Sequence, residues 1–125
     1  MRKLTLLIPL VALAAALPAT APARDNPGVI KTGKCSNGAG WKLKAKNENG
    51  LIEVEFEVDQ NISGRSWNVV IRRDGRVAFR GARTTRPPSG SFEVVRRIRN
   101  PAGADRIVAT ARAAAGGTCR GALTF

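Results

Sequence analysis

The sequence predicts an all-β fold: a seven-stranded antiparallel sandwich with one disulfide, preceded by a helical signal peptide. Three observations predict it. Apolar and charged residues alternate with period two along most of the chain beyond residue 40. Turn signals recur about every 8 to 12 residues, and no stretch there sustains a helical period. The chain also holds only 2 Cys, so one pairing is available, and a domain this small gains from such a staple.

The first segment reads as an address. Met1-Arg2-Lys3 is a basic start, Leu4 to Leu17 is an uncharged apolar run, and small residues follow. That is the tripartite pattern of a secretory signal peptide spanning 1–23. The run is shorter than the roughly 20 apolar residues a membrane span needs. Cleavage after Ala23 is expected over cleavage after Ala21, which leaves Pro22 at the new N-terminus. Residues 24–34 read as a leader or loosely attached strand, and 35–125 as the domain. The expected location is secreted, in the medium or the cell envelope. Export places Cys35 and Cys119 in an oxidising compartment, where they pair. Cys-x-x-Cys spacing is absent, so neither a redox pair nor a metal site is expected.

The first hairpin is Trp41 to Asn47 and Leu51 to Val58 around Asn49-Gly50, a pair suited to a type I′ turn. That turn sets Lys46 opposite Glu53, Lys44 opposite Glu55 and Lys42 opposite Glu57. The other face then pairs Ala45 with Val54, Leu43 with Phe56 and Trp41 with Val58. Charge and apolar patterns select one register. The second hairpin joins Ser66–Arg72 to Arg76–Arg83. A three-residue loop with Gly75 in a G1 bulge sets Ile71 opposite Val77 and Val69 opposite Phe79. Pro87-Pro88 makes 84–90 a loop. Ser91–Ile98 follows with Phe92 and Val94 inward, and its broken alternation suggests a bulge near Arg96. Arg106–Ala113 and Thr118–Phe125 complete the count.

Seven such strands, with Trp67 on the third, resemble an immunoglobulin-like or fibronectin III-like sandwich. The chain is also similar to small exported immunoglobulin-like proteins of high-GC bacteria. It departs from the immunoglobulin pattern in lacking the usual inter-sheet Cys pair and any Tyr. The resemblance implies a sheet of the first, second and fifth strands facing one of the third, fourth, sixth and seventh. The first and last strands then begin at the same end, which suits a Cys35–Cys119 bridge. A small β-barrel is the alternative architecture.

Charge is unevenly placed. The formal net charge is +12, with 21 Lys+Arg against 9 Asp+Glu. Residues 24–64 balance six basic groups against six acidic ones; residues 65–125 hold thirteen Arg and three acids. In the immunoglobulin-like arrangement Arg72, Arg76, Arg80, Arg106, Arg112 and Arg120 fall on the outer face of the second sheet. They surround Val70, Ala78, Val108, Thr110 and Ala122. Guanidinium forks bind phosphate, sulfate and carboxylate, so this face is the candidate surface for an anionic envelope polymer or a protein partner. The other reading of the same face is a solvated one that keeps a secreted domain soluble. Nucleic acid is disfavoured because all six aromatics occupy inward positions, leaving no stacking platform.

The chain has no His, which excludes His-based general bases, nucleophile pairs and zinc sites. No cofactor or metal is expected, and no catalytic residue is assigned. The second functional reading is an accessory domain or a carboxylate-type enzyme of the envelope. Glu53, Glu55 and Glu57 face lysines and read as a ladder. Asp59-Gln60-Asn61 reads as a turn, and Asn61-Ile62-Ser63 fits a glycosylation sequon.

Overall fold

A computed structural model describes residues 28–125 together with residues 9, 12 and 14–16, which lie in no helix or strand. The expected signal peptide therefore falls almost wholly outside the described residues. Eight strands follow in order: β1 Val29–Lys34, β2 Gly40–Glu48, β3 Leu51–Asp59, β4 Ser66–Arg73, β5 Arg76–Thr84, β6 Ser91–Arg99, β7 Arg106–Ala113 and β8 Thr118–Thr124. They form two antiparallel four-stranded sheets, β1-β2-β3-β6 and β5-β4-β7-β8. The partition of strands 2 to 8 is the one expected.

The count is eight, not seven, because β1 is a strand paired with β2 over six positions, from Val29 opposite Ala45 to Lys34 opposite Gly40. Alternation did not announce it, because β1 is an edge strand that buries little. Only Val29 and Gly33 are partly covered. Backbone hydrogen bonds hold it, and Gly33 lies where a Cβ would stand 2.6 Å from the Trp41 ring.

The first hairpin has every predicted pair, from Trp41 opposite Val58 to Lys46 opposite Glu53. Asn49 (φ 49°) and Gly50 (φ 80°) both occupy the left-handed region, as a type I′ turn requires. The second hairpin differs. Asp74 and Gly75 both have positive φ and Arg73 pairs with Arg76, so the loop is two residues long. The irregularity lies inside the ladder instead: Arg72 pairs with Val77 but Ile71 with Phe79, leaving Ala78 as the extra residue. This bulge seats Phe79 in the core and sets Gly81, not Phe79, opposite Val69. The expected bulge near Arg96 is absent. β6 pairs with β3 without interruption, Arg96 opposite Val54 and Ile98 opposite Ile52. Arg96 can share the inward side because β6 is an edge. Its guanidinium lies over the Phe79 ring, 4.9 Å from the centroid, instead of entering the core.

Between the sheets lie Leu43, Ile52, Val54, Phe56 and Val58 from one side and Trp67, Val69, Ile71, Ile107 and Leu123 from the other, all buried. Each contributes on the order of 1.5–3 kcal/mol through area removed from water. Trp67 packs against Phe92 at 6.1 Å, and its Nε1 donates to Gln60 Oε1 at 3.1 Å. Cys35 and Cys119 are bonded, S–S 2.02 Å, joining the turn after β1 to β8. Ser36 N donating to Thr118 O and Thr118 N donating to Ser36 Oγ, both 2.9 Å, close the same end. Elsewhere the buried Thr85 hydroxyl donates to Ile62 O (2.6 Å) and accepts from Arg65 N (2.9 Å), tying the loop before β4 to the loop before β6.

Candidate anion-binding face

On the outer face of β5-β4-β7-β8 the register builds three cross-strand rows. They are Arg80–Val70–Thr110–Arg120, Val77–Arg72–Val108–Ala122 and Ala82–Asn68–Arg112–Thr118. Arg106 stands opposite Thr124 beyond them. Burial alternates as period two demands: Val69, Ile71, Ala109 and Ala111 point inward, so their neighbours point out. None of these four strands contains an Asp or Glu. Arg72, Arg80 and Arg112 converge with Asn68, Val70 and Thr110 around a groove of about 420 Å³. Arg72 is half-buried, while Arg80, Arg106, Arg112 and Arg120 are exposed. No acid lies within 4 Å of these five guanidiniums among the described residues.

Arg76 does not share this face. Because the extra residue is Ala78 and not part of the loop, Arg76 pairs with Arg73 on the opposite side of the ladder, and Val77 takes the outward position. The sequence-predicted group of six thus resolves into five on one face and one elsewhere.

The opposite outer face is neutralised. Lys44 meets Glu55 at 3.9 Å and Lys46 meets Glu53 at 3.7 Å. Arg97 on β6 extends the ladder, 2.7 Å from Glu48 and 3.6 Å from Glu53. These long side chains cover Glu53, which points outward yet is only 7% exposed. A hydrogen bond shared with Glu48, together with Glu55, Lys46 and Arg97, holds the Glu53 carboxyl below its ordinary range against the opposing effect of burial. Lys42 and Glu57 are in register without an ion pair within 4 Å. Reasoning from the sequence missed Arg97 as a member of this ladder. Its only signal there is the Arg96-Arg97 doublet that breaks the alternation of the strand.

Catalytic groupings are sparse. Glu57 and Glu93 sit opposite each other across β3 and β6, at the rim of a groove of about 590 Å³ that Arg83, Arg86 and Ser91 also line. Glu93 is exposed and Glu57 half-buried. Ser89 and Ser91 hydroxyls lie 2.6 Å apart and hydrogen-bond to each other. The Asp105 carboxylate is buried, and its Oδ2 has no hydrogen bond. No group of three or more metal-ligating side chains occurs among the described residues. No protein-family model matches this chain, and no curated protein or solved structure matches it either.

Proposed function

We propose that the protein is an exported, non-catalytic binding module with an immunoglobulin-like sandwich architecture, and that it holds an anionic polymer against the outer face of β5-β4-β7-β8. The observation that carries this reading is the set of five arginines, Arg72, Arg80, Arg106, Arg112 and Arg120, on a sheet whose strands contain no acid. A face kept soluble by charge needs no such segregation, since interspersed signs serve equally well. Guanidiniums spread over four strands suit a repeating ligand such as a phosphopolymer or acidic polysaccharide, each unit taking a bidentate contact. The disulfide fits an oxidising compartment outside the cytoplasm.

The test is retention on heparin and on phosphocellulose, with the salt needed for elution as the readout. Reversing Arg72, Arg80 and Arg112 to Glu should abolish retention at moderate salt, while reversing Lys42 and Lys44 on the other sheet should barely change it. Equal effects of the two sets would refute the assignment to this face. If the Arg reversals instead abolish self-association and leave retention intact, the face serves a protein partner. The Glu57–Glu93 pair favours a second reading, carboxylate catalysis on a glycan, which requires turnover that Glu57→Gln and Glu93→Gln each remove.

A further inference from the structure

A second concentration of arginine lies where the tip of the β4–β5 hairpin meets the end of β6. Arg73, Arg76, Arg97 and Arg99 line one cleft of about 360 Å³, over Val77, Ala78 and Ile98. No acid lines it. The nearest acid in sequence, Asp74, is engaged elsewhere, its Oδ1 accepting from Arg106 N at 2.8 Å. Two of the four arginines have structural anchors. Arg73 donates through Nη1 to the Arg99 carbonyl, and Arg97 is held by Glu48 and Glu53. Arg73 is thereby pre-set with further N–H groups left over, whereas the Arg97 guanidinium is neutralised by its two carboxylates. Arg76 and Arg99 are exposed and have neither an ion pair nor a side-chain hydrogen bond among the described residues. Arg73, Arg76 and Arg99 are like charges that repel across the cleft, and no acid lies within 4 Å of these three guanidiniums among the described residues.

We propose that this cleft is a discrete site for a tetrahedral dianion, a phosphate or sulfate group. Guanidinium forks match tetrahedral oxyanions, and anchoring Arg73 lowers the entropy lost when a ligand is clasped. The apolar floor of Val77, Ala78 and Ile98 accommodates the carbon side of an ester. The site adjoins the outer face at Val77 but shares none of its arginines and does not depend on them. The group could arrive as the free ion or as the end of a phosphorylated polymer, and both carry the same chemistry.

Titration calorimetry with inorganic phosphate at fixed ionic strength tests this. One equivalent should bind the parent protein saturably. Arg76→Gln with Arg99→Gln should weaken it about tenfold or more, from the loss of charge-assisted hydrogen bonds. Lys at both positions should restore only part, since charge returns without the fork. Arg80→Gln with Arg112→Gln should leave phosphate affinity unchanged while lowering polymer retention, so the two sites fail separately. Circular dichroism confirms folding of each variant, and Arg76→Gln alone serves if the double variant does not fold. Phosphate binding that never saturates, or that falls equally with the outer-face variant, overturns the proposal. Tight binding of a phosphate-terminated oligosaccharide with the free ion bound far more weakly would identify the polymer end as the source.

Discussion

Gly121→Ala tests how the two sheets close on Trp41. Gly121 is buried on β8, and a Cβ there would stand 2.7 Å from Trp41 Cζ3 and 2.9 Å from Cε3. Gly33 on β1 restricts the same ring, with a Cβ 2.6 Å from Cζ2. The indole therefore lies between two positions that lack side chains. It can yield in two ways. Shifting within the packed site costs about 1–3 kcal/mol, as for other overpacked interiors. Swinging out re-exposes roughly half of an aromatic side chain, on the order of 100 Å², which costs about 2.5 kcal/mol. Against this, Ala removes unfolded-state freedom and returns about 0.4–1 kcal/mol. The steric term wins, for a net loss of about 1–2 kcal/mol. In a domain near 100 residues that lowers Tm by about 5–15 °C. Urea unfolding followed by circular dichroism measures it, and the cycle with Trp41→Leu isolates the cause. Once the ring is gone, Gly121→Ala should become neutral or stabilising. A loss of equal size in both backgrounds would refute the clamp, as would no loss in either.

Two further outcomes follow from the same structure. Replacing Cys35 and Cys119 by Ser opens a loop whose ends are 84 residues apart, and the chain-entropy treatment gives a loss of about 4–5 kcal/mol, read as a shift in urea midpoint. Because the folded Glu53 carboxyl lies below its ordinary value of 4.5, its contribution is complete above that value and is lost as pH falls through the lowered one. Glu53→Gln should lower Tm at neutral pH, where the contribution is fully present, and flatten the acid limb of a Tm–pH profile, and an unchanged acid limb would contradict the linkage.

Local chemistry that repeats was legible in the sequence. Asn49-Gly50 together with Lys and Glu at alternate positions specified six rungs of a nine-rung ladder, because a slip of one residue would bury charge along the whole strand. Features that depend on partners distant in sequence were not. β1 is held by backbone pairing to β2 and by room left at Gly33, and neither leaves a periodic signal. At Asp74-Gly75 the turn residues favoured a two-residue loop, whereas the apolar pattern demanded a one-residue correction. Placing that correction in the loop or in the strand looks equivalent from the sequence. Phe79 decides it in three dimensions: with Ala78 as the extra residue, its ring is buried and lies beneath the guanidiniums of Arg83 (5.1 Å) and Arg96 (4.9 Å).

That single displacement also sorts the arginines. Had the extra residue been in the loop, Arg76 would have joined the outer face; with Ala78 bulged, it turns toward β6, where Arg97 and Arg99 arrive from the other sheet. The broken alternation over Val95-Arg96-Arg97-Ile98-Arg99 was the one sequence signal of this cleft. Its meaning is an edge strand whose inward side is open enough for a guanidinium to lie on Phe79. The charge excess of the second half of the chain is thus divided by backbone register into a broad face spanning four strands and a compact cleft between the sheets. A repeating polymer fits the first geometry and a single oxyanion the second.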